Sequence, residues 1–279
     1  MNKEFLDLAE QLKSSVSCTV RLNELMSGHT SFKTVVPLTL LGNGSNVLVR
    51  DKGIRGIVIK LGNMLRHFYE AEDLLVFGSG YSLALASYKA MECGKTGMEF
   101  AVGIPGSIGG AVYMNAGAYD GEMQNIVNCV KVMDLQGNER VLTAEELNFG
   151  YRKTSLQNSG LIVTEVTLKM PSGNKDEIKS KMDDFSHRRI SKQPLEMPSA
   201  GSMFKRPPGY FAGTLIDQAG LKGYTVGGAQ ISTKHAGFVV NVGGATAADV
   251  LQLIKDVQTK IKAGVGVELQ PEVLVIGEE

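Results

Sequence analysis

Along the first two thirds of the chain, the spacing of hydrophobic residues changes between the short runs typical of strands and the intervals of three and four typical of helices. Short runs of β-branched and aliphatic residues, bounded by glycine or polar residues, predict strands. These runs are NVLVR, GIVIKL, DLLVFGS, GLIVTEVTLKM and VNCVKVMDLQGNERVL, and the last predicts a hairpin about residues 136–138. Spacings of three and four predict helices over SLALASYKAMEC, over DEIKSKMDDFSHRRI and, with Phe5, Leu8 and Leu12 on one face, at the amino terminus.

The segment PLEMPSAG interrupts this pattern, and we place a domain boundary near residues 193–200. Beyond it, a predicted helix over YFAGTLIDQAG ends at Gly220, and strands follow at TVGGAQIS and GFVVNV. Thr246 can cap a further helix, and PEVLVIG predicts a final strand. Because strands and helices do not alternate strictly, the pattern predicts an α+β fold rather than a doubly wound parallel sheet.

The composition narrows the range of partners. The 279 residues include 29 basic and 29 acidic side chains, so no overall charge attracts nucleic acid or an anionic membrane. No run approaches the roughly 18 apolar residues of a membrane span, and the charged amino terminus does not resemble a signal peptide. Three cysteines without a CxxC pair fit a reducing compartment. We expect a cytoplasmic monomer that binds neither nucleic acid nor membrane.

Metal chemistry is not expected either. The four histidines are too far apart for a helical zinc motif, and with the cysteines they show no metal-ligand spacing.

The loop LGNGSNVLV, from Leu41, places small residues directly before a strand. Such a loop offers backbone N–H groups to phosphate oxygens, and Ser45 and Asn46 add side-chain donors. The three-glycine dinucleotide fingerprint follows a strand and opens a helix, so a nicotinamide Rossmann site is disfavoured. An ordinary tight turn is the alternative.

Residues 103–122, GIPGSIGGAVYMNAGAYDGE, contain six glycines and three alanines. This composition is unusual for a solvated loop, and the segment lacks amphipathic periodicity. It predicts backbone packed against a flat apolar group with polar edges, such as a flavin and its pyrophosphate, with Ser107 and the N–H groups around Gly106, Gly109 and Gly110 as donors. The alternative is a glycine- and alanine-rich helix packed tightly in a core.

Two further candidates are ambiguous in the sequence. Arg152, in FGYRKTSL, suits a carboxylate or phosphate, although a surface ion pair is the simpler interpretation. Lys192 and its arginine neighbours fit either the solvated end of a helix or an anion site. Ser202, in AGSMF, has no G-x-S-x-G context and no evident base, so a structural serine is the default against a hydrolase.

Taken in order, the segments resemble one family, the UDP-N-acetylenolpyruvoylglucosamine reductases. The matching segments are HTSFK, LGNGSNVLVRDKGIRGIVI, GIPGSIGGAVYMNAGAY, FGYRKTS, AGSMFKRP, GLKGYTVGGAQISTKHAGFVVN and LQPEVLVIG. The resemblance is to the shorter, type II branch. It implies an FAD-binding domain of the vanillyl-alcohol oxidase and p-cresol methylhydroxylase type over residues 1–193, with subdomains of about 1–60 and 61–193. A substrate-binding domain would cover 194–279, with the last strand, about 271–279, returning to the FAD domain.

The resemblance also implies roles for individual residues. The implied cofactor residues are Gly42, Asn43, Gly44, Ser45, Asn46 and Val47 in the first loop, and Gly103, Pro105, Gly106, Ser107, Gly109, Gly110, Asn115, Ala116 and Gly117 in the second. The implied catalytic residues are Ser202, Arg152 and Glu272. The implied substrate-binding residues are Tyr151, Lys192, Lys205, Arg206 and His235.

The implied activity is an NADPH-dependent reduction through FAD that completes UDP-N-acetylmuramate for peptidoglycan synthesis. In the family, hydride from flavin N5 adds to C3 of the enolpyruvyl group, and Ser202 would protonate C2. Arg152 would stabilise the enolate through its carboxylate. Glu272 suits a place beside that anion if it is protonated and donates a hydrogen bond. Two alternatives are another enzyme on the same flavin fold, acting on a small alcohol, and a non-enzymatic nucleotide-binding module.

The chain departs from the family after HTSFK. There the family has a glycine pair, a strand and a helix, whereas TVVPLTLLGNGSN follows almost at once here. The favoured explanation is that the natural protein has residues that this sequence omits. If the protein is truly shorter, FAD binding is in doubt; the intact mass of the purified chain would decide.

Overall fold

The structure is a computed structural model that describes residues 36–279. The predicted amino-terminal helix and the HTSFK segment lie outside the described residues. The described residues form two compact units: unit one comprises 36–43 and 56–185, and unit two comprises 44–55 and 186–279.

The elements follow in chain order. The strands are β1 (Leu38–Leu41), β2 (Val47–Val49), β3 (Ile57–Lys60), β4 (Phe68–Ala71), β5 (Leu74–Gly78), β6 (Gly117–Ala118), β7 (Gly121–Glu122), β8 (Val127–Met133), β9 (Glu139–Thr143), β10 (Ile162–Lys169), β11 (Ser199–Ser202), β12 (Thr225–Val226), β13 (Ala229–Ile231), β14 (Phe238–Asn241) and β15 (Leu274–Ile276). The helices are α1 (Leu83–Glu92), α2 (Ile108–Tyr113), α3 (Lys175–Lys192), α4 (Ala212–Gln218) and α5 (Ala247–Val265). Short 3₁₀ turns lie at Asn63–Leu65, Glu99–Ala101 and Met123–Asn125.

Unit one is built on a five-stranded antiparallel sheet with the order β4-β5-β10-β8-β9. Its core joins Phe77 and Val166 of the sheet to Leu83 of α1 and Ile108 of α2, all of them buried. The hydroxyl of Ser82 accepts a hydrogen bond from Leu85 N and so caps α1. Unit one also contains two separate strand pairs: β1 and β3 form a parallel pair, and β6 and β7 form a small hairpin.

Unit two contains a four-stranded antiparallel sheet with the order β11-β14-β13-β12, and a parallel pair of β2 with β15. Helix α5 begins at a capping box of Thr246 and Asp249, and it ends at Gly266, whose φ of 71° suits glycine. Its apolar stripe, which includes Val257, packs in a core with Ile216 of α4. Among residues 36–279, no helix is long and apolar enough to cross a membrane.

The α+β class and most of the predicted elements are confirmed. The hairpin predicted over residues 127–142 forms β8 and β9, and in its turn Asp134 Oδ1 accepts from Gln136 N and Asn138 N. The single strand over TVGGAQIS is wrong, because the chain turns at Gly227 (φ 52°) and Gly228 to make the β12–β13 hairpin. Strands β1, β4, β6, β7 and β11 were not predicted, since they are short and lack a clear alternation. The assignment of domains to FAD and substrate stays a prediction.

Candidate active site

The two predicted cofactor loops meet within unit one. A Cβ added to Gly42 would lie 2.7 Å from Ser107 Oγ, so the loop after β1 and the loop before α2 are in close contact. A side chain at position 42 would displace the Ser107 hydroxyl, which caps α2. In unit one Gly103, Pro105 and Gly110 are exposed. These features fit a cofactor that carries a pyrophosphate.

Part of the glycine-rich segment is the largely buried helix α2, which supports the alternative of a tightly packed helix for residues 108–113, and the flavin interpretation stays a prediction. Ser107 caps α2 by accepting from Gly110 N at 3.3 Å. Gly109 is buried, donates its N–H to Ser79 O at 2.9 Å, and leaves no room for a Cβ beside Ser79. The Gly109 N–H is therefore already used inside the unit, and the cofactor contact expected at Gly109 stays a prediction.

Arg152 lies at the tip of a two-residue turn in unit one. Gly150 and Lys153 exchange backbone hydrogen bonds of 2.9 and 3.1 Å across the turn, and Arg152 has a φ of 55°. A non-glycine residue in this left-handed region is uncommon and often marks a functional site. The Arg152 guanidinium carbon lies 5.0 Å from the centre of the Tyr151 ring, and Tyr151 is exposed.

Ser202 and Glu272 are brought together within unit two. Ser202 is exposed at the end of β11, opposite Phe238 of β14. The following residues pair with the segment before β15: Glu272 N donates to Met203 O at 2.8 Å, and Lys205 N donates to Gln270 O at 2.8 Å. Regular backbone pairing thus places Ser202, Lys205 and Glu272 in one small region.

Asn46 of the first cofactor loop lies beside Glu272. Its Nδ2 donates to Glu272 O at 3.1 Å, and its backbone O accepts from Leu274 N at 3.0 Å. Strand β2 continues this contact by pairing in parallel with β15. The predicted cofactor loop therefore divides between the units, with Gly42 and Asn43 in unit one and residues 44–47 in unit two.

Two hydrogen bonds in unit two connect His235 to the residue that follows Ser202. Met203 N donates to Gly237 O, and Gly237 N donates to His235 Nδ1 at 3.0 Å. Burial is the main cause that holds the pKa of His235 below its usual range, and the positive charges of Lys222 and Lys192 act in the same direction. A neutral imidazole with Nδ1 occupied leaves Nε2 as a donor.

The remaining predicted substrate residues are also in unit two. Lys192 is exposed at the end of α3, and Arg206 lies with its guanidinium carbon 3.9 Å from the centre of the exposed Phe211 ring. Arg152 and Tyr151 belong to unit one, so the predicted catalytic residues are divided between the units.

Asp51 is a structurally important residue that no sequence motif indicates. Its carboxylate accepts from Ala247 N at 2.6 Å and Ala248 N at 3.0 Å, and so it caps the start of α5 and ties the segment after β2 to it. No local pattern could have indicated this, because the partners lie 196 and 197 residues away.

Comparison with protein families gives two matches. The model for the UDP-N-acetylenolpyruvoylglucosamine reductase C-terminal domain matches residues 193–276, and the model for an FAD binding domain matches residues 32–143.

Individual relatives agree with these models. The chain is 52% identical over 244 residues to the UDP-N-acetylenolpyruvoylglucosamine reductase of Clostridium perfringens, covering 88% of this chain and 80% of the relative. It is 44% identical over 284 residues to that of Caldanaerobacter subterraneus subsp. tengcongensis, covering 92% and 94%. The second alignment is longer than this chain, so the relative has residues that this chain lacks.

A solved structure is similar over most of the chain. It is the UDP-N-acetylenolpyruvylglucosamine reductase of Thermus caldophilus, with a TM-score of 0.76, 41% identity, and coverage of 87% of this chain and 86% of that one.

Proposed function

The chain belongs to the UDP-N-acetylenolpyruvoylglucosamine reductase family of FAD-dependent oxidoreductases, and we propose that it reduces UDP-N-acetylglucosamine enolpyruvate to UDP-N-acetylmuramate with electrons from NADPH. The family acts in cell-wall synthesis, and its substrate is a small UDP-sugar. Membership disfavours both a non-enzymatic nucleotide-binding module and an enzyme of small alcohols.

FAD would be held by the two loops that meet at Gly42 and Ser107. The loop of residues 42–47 would bind the pyrophosphate, and the exposed residues Gly103, Pro105 and Gly110 and the half-buried Ala116–Gly117 segment would line the ring. When bound, FAD supplies hydride transfer from NADPH to the enolpyruvyl double bond. Ser202 would take no part in the reduction of FAD by NADPH. It would act only in the reaction of the UDP-sugar.

Arg152 would bind the substrate carboxylate. Hydride addition at C3 leaves negative charge at C2, which spreads into the carboxylate, and a guanidinium held in place stabilises that charge more in the transition state than in the ground state. The left-handed backbone at Arg152 supports this role, since strain of this kind concentrates at functional sites.

Ser202 would donate a proton to C2, and Glu272 would stabilise the same region by hydrogen bonding to the substrate. A hydroxyl is a weak acid, but an enolate carbon is basic enough to take its proton when the two are held close. Lys205, which the same backbone pairing brings near, would stabilise the alkoxide left on Ser202. The observation that carries the proposal is the antiparallel pairing of residues 203–205 with 270–272.

The test is a pair of half-reactions under anaerobic conditions. The purified protein should be yellow, NADPH should bleach the flavin absorbance, and UDP-N-acetylglucosamine enolpyruvate should restore it with formation of UDP-N-acetylmuramate. A flavin that NADPH bleaches but the UDP-sugar does not reoxidise would contradict the proposal. NADPH and UDP-sugar are expected to compete, so excess UDP-sugar should inhibit turnover.

A further inference from the structure

Asn115 is a buried polar residue at the end of α2. It is 1% exposed, and its φ of 42° places it in the left-handed region. Asparagine tolerates this region better than most residues, but the conformation still needs support from its surroundings. The support comes from Asn115 N, which donates to Val112 O at 3.0 Å, and from the side chain.

The side-chain amide of Asn115 joins three segments of unit one. Its Nδ2 donates to Gly150 O at 3.0 Å and to Glu122 Oε2 at 3.2 Å, and its Oδ1 accepts from Gln124 N at 3.0 Å. Both N–H groups of the amide are thus used by protein acceptors. The side-chain N–H groups are therefore committed inside the unit, and the cofactor contact expected at Asn115 stays a prediction.

The same residue contacts the Arg152 turn twice. Gly150, whose carbonyl accepts from Asn115 Nδ2, opens the turn that carries Arg152 at its tip. The guanidinium at the tip of the turn makes the second contact. Arg152 Nη1 donates to the backbone O of Asn115 at 3.3 Å, and Arg152 Nη2 donates to Gly117 O at 3.2 Å. Asn115 therefore contacts both the backbone that starts the turn and the guanidinium at its tip.

We propose that Asn115 is a positioning residue for Arg152: its amide and its backbone carbonyl hold the turn and the guanidinium in the orientation that binds the substrate carboxylate. This rests on the proposed function, in which Arg152 has that role. Asn115 would act through Arg152 and not by contact with the substrate. A guanidinium displaced by about 1 Å can slow a reaction about 10²-fold, so losing this support should show in the reaction of the UDP-sugar.

The experiment uses the FAD-loaded enzyme and the two half-reactions separately. Asn115→Gly keeps access to the left-handed backbone and removes the amide, so it should leave FAD content and reduction by NADPH near normal. It should slow reoxidation by the UDP-sugar by about 10- to 100-fold. Asn115→Asp keeps the acceptor for Gln124 N but places oxygen toward Gly150 O and Glu122, and it should be slower still. The matched control is Asn148→Gly, since Asn148 has a φ of 43° and is exposed.

A double-mutant cycle with Arg152→Ala separates positioning from general support of the fold. If Asn115 acts through Arg152, Asn115→Gly should change reoxidation less than twofold in the Arg152→Ala enzyme. Equal slowing with and without Arg152, equal loss in both half-reactions, or loss of FAD in both Asn115 variants would overturn the proposal. Wild-type enzyme that the UDP-sugar does not reoxidise would instead contradict the proposed function, so the two failures are distinguishable.

Discussion

The two units hold their candidate catalytic groups by different means. In unit one, Arg152 lies on a turn with left-handed backbone, and its guanidinium donates part-buried hydrogen bonds to two backbone carbonyls of a distant segment. In unit two, Ser202 and Glu272 belong to extended segments whose positions come from backbone pairing. Backbone pairing does not depend on the side chain at a position, whereas a left-handed turn does. Substitutions of the candidate catalytic residues of unit two should therefore change activity with less effect on stability than substitutions at Arg152 in unit one.

The largest effect is expected at Ser202. Ser202→Ala should slow reoxidation of the flavin by the UDP-sugar by about 10²- to 10⁴-fold, the usual contribution of a proton donor, and leave reduction by NADPH unchanged. The melting temperature should not move, because the hydroxyl is exposed and the pairing of β11 uses the backbone. Stopped-flow absorbance measures both steps. Ser199→Ala, in the same strand and also exposed, is the control; equal losses in both steps for Ser202→Ala would mean a structural serine.

The next comparison uses one helical glycine from each unit. Gly109→Ala should destabilise unit one by about 1–3 kcal/mol and reduce FAD content, because the new Cβ would lie 2.7 Å from Ser79 Cβ and 3.0 Å from Ser79 O. Gly264→Ala in α5 meets no atom within 4 Å and should stabilise unit two by about 0.5–1 kcal/mol. Urea unfolding and flavin absorbance measure the two effects. Similar stability changes for the two variants would contradict the packing argument.

A buried carboxylate in unit one gives a pH test. His67 Nε2 and Tyr69 Oη each lie 3.2 Å from Glu165 Oε2, and Lys131 Nζ lies 3.7 Å from its Oε1. The hydrogen bond with His67 is the largest cause that holds the pKa of Glu165 below its usual range; Lys131 and Tyr69 act in the same direction, and burial opposes them.

Because the folded pKa of Glu165 is lowered, its stabilising contribution is present above the unfolded value of about 4.3 and is lost as pH falls through the folded value. Glu165→Gln should cost about 1–2 kcal/mol at pH 7, and the difference from the wild type should shrink below pH 4. Thermal unfolding across pH measures it, with Glu139→Gln on the exposed face of β9 as the control. A difference that grows in acid would contradict the assignment.

The smallest effect concerns the backbone at Arg152. Glycine normally destabilises a chain relative to alanine, but at a φ of 55° it avoids the left-handed penalty. Arg152→Gly should therefore be more stable than Arg152→Ala by about 1 kcal/mol, although both lose the guanidinium and the reaction of the UDP-sugar. Chemical denaturation of the two proteins decides; the reverse order would mean that the turn relaxes without cost.

Local patterns were sufficient for long elements and insufficient for short ones. The apolar stripe of α5 and the run of β-branched and aliphatic residues in β10 are long enough to predict these elements, and Thr246 marks the start of α5. Strand β11 has four residues, two of them serines, and its pairing with β14 shifts register, so no alternation marks it. No local pattern marks Asp51 or Asn115 either, because their hydrogen-bond partners lie far along the chain.

The sequence by itself determined the family, because ordered motifs such as LGNGSN, GIPGSIGG and AGSMFKRP survive as strings of residues. It also determined which residues to nominate, including Ser202, Arg152 and Glu272. Only the tertiary structure decided how each is held: Ser202 and Glu272 through pairing of segments about 70 residues apart, and Arg152 through the buried amide of Asn115. The physical reason is that backbone pairing and buried hydrogen bonds join groups by their distance in space, which spacing along the chain does not record.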